Sequence, residues 1–136
     1  MLRTLMASAC AVAALLFCAA SCRRPVSDET FIRADGSGRY EFVMDMADSL
    51  CIYDLSFYTR VESDVDVVPM IVTWYSPEGK VFTEKIQFPV AQSPVAPYRQ
   101  DCDPSPRGSW RLMVKADAPG MRGLGLVLRR KPLPGN

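Results

Sequence analysis

The feature that most constrains the fold of this chain is an alternation of apolar and polar residues with a period of two. Because successive side chains of a β-strand point to opposite faces of the sheet, this alternation indicates strands with one buried face. Phe42 and Met44 share one face, for example, whereas Glu41 and Asp45 share the other. Together with an apolar run at 67–75, the pattern predicts strands at 40–46, 50–60, 67–75, 81–88, 110–116 and 124–129.

These strands are short, are joined by turns and are not interrupted by an amphipathic helix, a pattern typical of an antiparallel β-sandwich. We therefore expect one small all-β domain, jelly-roll or immunoglobulin-like, at 39–131, followed by a tail at 132–136. The sequence Ser76-Pro77-Glu78-Gly79 predicts a β-turn and hence a hairpin. The segment 89–107 contains five prolines and no clear period, so we expect a long irregular loop there.

The N-terminus has the three parts of a secretory signal peptide, which we place at 1–21. A start containing Arg3 precedes an apolar run, and small residues follow at 19–21. Ala19-Ala20-Ser21-Cys22 is similar to a bacterial lipobox, although Ala19 stands where leucine is usual. This predicts that Cys22 is lipidated and becomes the first mature residue. Two alternatives are a transmembrane anchor, for which the run is at the lower limit of length, and a simple signal cut that leaves a free cysteine.

Lipidation of Cys22 would give stable attachment to a membrane. We expect residues 22–38 to serve as the lipidated cysteine and its tether. The residue after the cysteine is Arg23 rather than aspartate, which favours the outer membrane over retention at the inner membrane. Ser27-Asp28-Glu29 resembles a surface-export signal of Bacteroidetes lipoproteins, and a solvated acidic stretch is the alternative. The sequence leaves both the periplasmic and the surface-facing orientation open.

Several of these features together resemble the gliding-motility lipoprotein H (GldH) family of Bacteroidetes. They are the lipobox at Cys22, the first two predicted strands, Pro77-Glu78-Gly79, Gly108-Ser109-Trp110, and Gly123-Leu124-Gly125-Leu126. The segment 62–66 is acidic where that family has a Tyr-Pro-rich stretch. The resemblance implies a role in envelope machinery associated with gliding and type IX secretion, with or without motility itself.

Composition argues against several classes of function. The chain has 16 Lys and Arg against 15 Asp and Glu, and this balance disfavours binding to nucleic acid. It contains no histidine, the most common general base and metal ligand. The carboxylate pairs Asp64/Asp66 and Asp101/Asp103 lack the ligand spacing of a calcium loop. We therefore predict no catalytic residues, no bound metal and no cofactor.

The remaining candidate residues concern binding and redox state. Cys51 and Cys102 could form a disulfide in an oxidising compartment, or Cys51 could simply belong to the core. In the long loop we predict that Tyr98, Arg99 and Arg107 contact a partner protein.

Two functional hypotheses follow. The first is a non-enzymatic interaction module, lipid-anchored in the outer membrane and bound to another envelope protein. The second is a surface glycan-binding accessory lipoprotein, which exposure of Trp74 or Trp110 would favour and full burial of both would exclude.

Overall fold

A computed structural model of the chain describes residues 24–90 and 95–134. These residues form eight strands in two four-stranded antiparallel sheets that pack as a sandwich, so the expected fold class is confirmed. Within these ranges no helix is long and apolar enough to span a bilayer. The strands are β1 (Val26–Arg33), β2 (Arg39–Met46), β3 (Cys51–Tyr58), β4 (Val68–Tyr75), β5 (Val81–Phe88), β6 (Val95–Cys102), β7 (Gly108–Ala116) and β8 (Gly123–Pro132).

The strand order identifies the sandwich as a jelly roll rather than an immunoglobulin-like fold. Sheet A has the order β1-β8-β3-β6, and sheet B has the order β2-β7-β4-β5. The pairs β1–β8, β2–β7, β3–β6 and β4–β5 are therefore nested, as in a long hairpin that has been rolled up. Only β4 and β5 are consecutive strands of one sheet, and the predicted turn at 76–79 joins them, with the Gly79 N–H donating to the Ser76 carbonyl.

The core lies between the sheets and is built from the apolar side of the alternating pattern. In β2 every second residue is buried, and the residues between them are exposed. Tyr53, Leu55 and Phe57 of β3 face them from sheet A and are fully buried. Each such side chain contributes on the order of 2 kcal/mol to folding. Two continuous apolar surfaces therefore hold the sheets together.

The structure corrects the expected tether at 22–38, because residues 26–33 form β1. This strand pairs with β8 along its whole length, from Val26 opposite Arg130 to Arg33 opposite Gly123. It lies at the edge of sheet A, and seven of its eight residues are exposed. A strand with so little buried surface lacks the alternation by which the others were predicted. The folded domain therefore begins at Val26 rather than at residue 39.

Two glycines of β8 make room for aromatic rings on the outer face of sheet A. A Cβ atom at Gly125 would lie 2.0 Å from the Tyr58 ring, and one at Gly123 would lie 2.4 Å from the Phe31 ring. The rings of Phe31 and Tyr58 stack with their centroids 5.9 Å apart. The alternation of glycine and leucine in β8 thus has a physical reason. Leucines fill the core, and glycines admit the rings that attach β1.

The second correction concerns the proline-rich segment 89–107, which was expected to be a loop. Residues 95–102 form β6, the other edge strand of sheet A, which pairs with β3. Its register shifts on either side of Leu55, and Asp101 has a positive φ of 55°. An edge strand tolerates Pro97 because only one of its sides is paired.

Candidate functional site

The site that we describe lies at one end of the sandwich, the proximal end, where β1 begins. Because neighbouring strands are antiparallel, β3, β5 and β7 also begin at this end, and β2, β4, β6 and β8 finish there. Three connections close the proximal end, at 47–50, 76–80 and 103–107. We call the opposite end the distal end.

A pocket of about 330 Å³ opens at the proximal end, near the edge formed by β5 and β6. Its walls are mostly aromatic and aliphatic, with two charged side chains among them. We call it the aromatic pocket. Its lining residues are Met46, Trp74, Phe82, Arg99, Cys102, Asp103, Pro104, Ser105 and Trp110.

Neighbouring strands of sheet B position the aromatic walls. Trp74 of β4 lies opposite Leu112 of β7 and Phe82 of β5 in the register. The rings of Trp74 and Trp110 meet edge to face, with centroids 6.1 Å apart. Phe82 lies on β5, an edge strand with no neighbour beyond it, and 57% of the residue is exposed. The ring therefore forms the rim of the pocket instead of filling the core.

A hydrogen-bonded chain beside the pocket joins the two sheets. The Trp74 indole N–H donates to the Tyr98 hydroxyl oxygen at 2.8 Å, and the Tyr98 hydroxyl donates to a carboxylate oxygen of Glu84. Arg99 donates to both carboxylate oxygens of Glu84, at 2.6 Å and 2.5 Å. Burial, together with the carboxylate acceptor, raises the pKa of Tyr98 well above its usual range. The hydroxyl therefore remains a donor at any physiological pH.

The loop at 103–107 is fixed by its own polar contacts. Arg107 donates to the backbone carbonyls of Asp48 and Cys51, the latter at 2.8 Å, and forms an ion pair with Asp103. The Trp110 indole N–H donates to the carbonyl of Pro106 at 2.9 Å. The side chains of Arg107 and Trp110 thus fix the loop whose residues 103–105 line the pocket.

The predicted contact residues therefore divide into two kinds. Tyr98 is half-buried between Trp74 and Glu84, and Arg107 reaches inward to carbonyl groups, so both act mainly within the fold. Arg99 keeps an exposed guanidinium at the pocket although it is paired with Glu84. Sequence reasoning missed the pocket itself, since it depends on Trp74 and Trp110 meeting across strands that are far apart in the chain.

The two cysteines of the domain are not joined to each other, which corrects the disulfide considered for Cys51 and Cys102. Cys102 is a free cysteine, so it forms no disulfide with Cys51. In the register Cys102 lies opposite Tyr53, two residues from Cys51. Such a diagonal separation is about 7–8 Å between Cα atoms, beyond the usual span of a disulfide. Burial raises the pKa of the Cys102 thiol, the reverse of what activates a nucleophile.

The other predicted features have simple structural roles or lie outside the described residues. Asp101 pairs with Lys131, which also contacts Asp54 at 2.9 Å. Among the described residues, no three Cys, Asp or Glu side chains come together as candidate metal ligands. A larger cavity of about 450 Å³ at the distal end is lined by Lys85, Lys115 and the turn at 36–38, among others. Cys22, the predicted lipidation site, lies outside the described residues.

The two tryptophans named in the glycan hypothesis fall between the two outcomes stated for them. Trp74 is buried, and Trp110 is only partly exposed. Neither tryptophan is fully exposed, and the two are not both fully buried.

Comparison with known proteins adds little to this description. No family model and no curated protein matches the chain. Among solved structures, a chain in the structure of infectious bursal disease virus Gx strain is similar at 15% identity, with a TM-score of 0.24. The alignment covers 82% of this chain and 37% of that chain, so this chain spans little more than a third of the length of the viral one.

Proposed function

We propose that this chain is a lipid-anchored, non-enzymatic envelope protein that binds another envelope protein through its aromatic pocket. The signal peptide and the lipobox at Cys22 support attachment to the outer membrane. The observation that carries the binding role is the pocket, an apolar concavity walled by Trp74, Phe82 and Trp110 with Arg99 at its side. Aromatic side chains and arginine are the residues most enriched at the centres of protein interfaces.

The chemistry of the pocket suits binding better than catalysis. Its two charged side chains are already paired, Arg99 with Glu84 and Asp103 with Arg107. Its one thiol, Cys102, has a raised pKa, and the chain has no histidine to act as its base. A fixed, largely apolar site of this kind can accept an apolar side chain of a partner without rearrangement.

The resemblance to the gliding-motility lipoprotein H family supports a more specific proposal for the partner. We propose a component of the envelope machinery associated with gliding and type IX secretion. The segment 62–66 differs from that family's pattern and lies at the distal end of the sandwich, whereas the aromatic pocket lies at the proximal end. A partner bound at the pocket therefore need not depend on the acidic segment.

In-cell photocrosslinking tests the proposal. A photoreactive amino acid replaces Phe82 at the rim of the pocket, and in a matched control it replaces Val67, which is similarly exposed at the distal end. We expect a discrete protein adduct from position 82 and none from position 67, and we expect Cys22→Ala to abolish the adduct. Mass spectrometry of the mature N-terminus reports lipidation separately. Equal adducts at both positions, or a Cys22 sulfur without its thioether, would contradict the proposal.

A second candidate function is glycan binding, and the stacked rings on the outer face of sheet A favour it. Phe31 is 50% exposed and stacks with Tyr58, so together they present an aromatic surface. The test is retention on immobilised surface polysaccharide. If glycan binding is the function, Phe31→Ala should release the protein whereas Phe82→Ala should not.

A further inference from the structure

We infer that the proximal end of the sandwich rests on the lipid surface to which the chain is anchored. Leu50 and Val26 would enter the interface, and Arg24 and Arg130 would contact phosphate headgroups. This inference rests on the proposed lipidation of Cys22 and adds an orientation and a lipid-contact surface to it.

The chain between the proposed anchor and the fold is short. Four residue steps separate Cys22 from Val26, the first residue of β1. A fully extended chain covers at most about 3.6 Å per residue, so Val26 lies within roughly 14 Å of the lipidated residue whatever the conformation between them. The eight residues of β1 alone span about 25 Å. The distal end therefore cannot approach the membrane unless the whole sandwich inverts, and the short connection between Cys22 and Val26 restricts such a rotation.

β1 is paired with the sandwich along its whole length. All eight of its residues are paired with β8, and the Phe31 ring stacks on Tyr58 of β3. Detaching β1 to lengthen the connection would break this ladder and expose β8, the glycine-containing strand beside it. The short connection therefore restricts the orientation of the whole domain relative to the membrane, and not only that of its first strand.

The surface that this constraint turns toward the lipid carries exposed apolar residues. Leu50 is 48% exposed in the turn between β2 and β3, and Val26 is exposed at the start of β1. The Leu133 N–H donates to the Leu50 carbonyl at 3.2 Å, which places a further apolar residue beside the turn. When apolar side chains at such a surface move from water into the interfacial region of a membrane, the free energy falls.

The same corner of the sandwich carries two positive charges. Arg24 is exposed, and Arg130 lies opposite Val26 in the register; none of the ion pairs among the described residues involves either arginine. Lys131 and Arg129, by contrast, lie beside Asp54, and Lys131 forms an ion pair with it. Two unpaired arginines at the anchored corner suit the phosphate groups of a lipid surface.

The orientation also places the aromatic pocket. The pocket lies at the same end as β1 but at the opposite edge of the sandwich, beside β5 and β6. It would then open sideways at the level of the membrane surface, toward a partner held in the same membrane. Such a partner meets the pocket within a thin layer, where its effective concentration is high.

The experiment uses the full lipidated chain in vesicles of phosphatidylcholine and phosphatidylglycerol. A photoreactive amino acid replaces Leu50, or Val67 as the control, which is 45% exposed at the distal end. We expect lipid adducts to form several-fold more often at position 50 than at position 67. Equal yields from protein that floats with the vesicles would overturn this orientation. Protein that neither carries the lipid nor floats would instead contradict the proposed function.

Charge reversal tests the headgroup contact separately. In the position-50 protein, Arg24→Glu with Arg130→Glu should lower the yield of lipid adducts, and added salt should reduce the difference. Arg33→Glu with Arg122→Glu is the matched control and should leave the yield unchanged, because Arg33 ends β1 and Arg122 directly precedes β8 at the distal end. An equal loss of adducts in both double variants would show that net charge, and not the proximal corner, controls the contact.

Discussion

The two edge strands of sheet A, β1 and β6, are attached to the sandwich in different ways. β1 pairs with β8 in an unbroken register of eight residues, and on the outer face Phe31 stacks with Tyr58. It adds almost nothing to the core, since only Ile32 is partly buried. Its attachment is therefore a backbone ladder and an external ring stack, both confined to sheet A.

β6 has the poorer ladder and the deeper contacts. Its register with β3 is interrupted twice, yet Ala96 is buried and Tyr98 packs on Phe57 with ring centroids 4.9 Å apart. Tyr98 and Arg99 also reach across to Glu84 of β5 in the other sheet. β6 thus joins the two sheets, whereas β1 only extends one of them. From this difference we expect side-chain contacts, more than the regularity of the ladder, to determine how strongly each edge strand is coupled to the fold.

The largest expected effect comes from Tyr98→Ala. The change removes a ring that packs on Phe57 and Trp74, and it leaves the Trp74 N–H without its acceptor. We expect the free energy of unfolding to fall by about 3–5 kcal/mol in chemical denaturation. Tyr98→Phe keeps the ring and should cost only about 1 kcal/mol. A loss no larger than that of Phe31→Ala would refute the claim that β6 is the more strongly coupled edge.

Gly125→Ala tests the β1 side of the comparison. Its new methyl group would overlap the Tyr58 ring, and we expect a loss of about 2 kcal/mol from overpacking. If the ring is the cause, the same substitution should cost much less in a Tyr58→Ala background. Equal costs in the two backgrounds would mean that the glycine is required for another reason, such as the path of the β8 backbone.

The same comparison explains what the sequence could predict. The strands that share the core, such as β2 and β3, show an alternation that marks both their position and their inward face. β1 was not predicted as a strand because seven of its eight residues are exposed. β6 was not predicted because proline and an irregular register obscure its period. A strand that buries few side chains, or whose period is interrupted, leaves a weak signal in the sequence; β2 also lies at an edge, but its alternate residues are buried and its period is clear.

The candidate site was less predictable than the fold, for a related reason. Tyr98, Arg99 and Arg107 were selected because they lie in a proline-rich segment, and only Arg99 keeps the exposed role that was expected. The aromatic pocket forms where Trp74 and Trp110 meet, and no local pattern records a contact between residues so far apart in the chain. Single residues could be named from the sequence, but their juxtaposition required the fold.

Phe31→Ala should have a smaller and more local effect than either change above. Half of the ring is already in solvent, so its removal should lower the free energy of unfolding by about 1 kcal/mol. Hydrogen exchange should show faster opening of β1 and little change in β6. A uniform increase in exchange throughout both sheets would mean that β1 is coupled to the core after all, and the contrast between the two edges would fail.

The smallest expected effect is a change with pH at the β6 edge. Burial raises the pKa of Asp54, but the Asp101 N–H, which donates to its carboxylate at 2.9 Å, and Lys131 together lower it below its ordinary value. A carboxylate with a lowered pKa in the folded state contributes stability above the pKa of the unfolded chain, and this contribution is lost as the pH falls through the folded value. Acidification to about pH 3, below the ordinary aspartate pKa, should therefore reduce the exchange protection of the end of β6 more than that of β1.

Asp54→Asn should show a lowered exchange protection at the end of β6 at neutral pH and a weaker response to acid. An equal response of the two strands in the unmodified protein would show that the carboxylate does not hold β6 in place, and its attachment would then rest on Tyr98 and the core contacts alone.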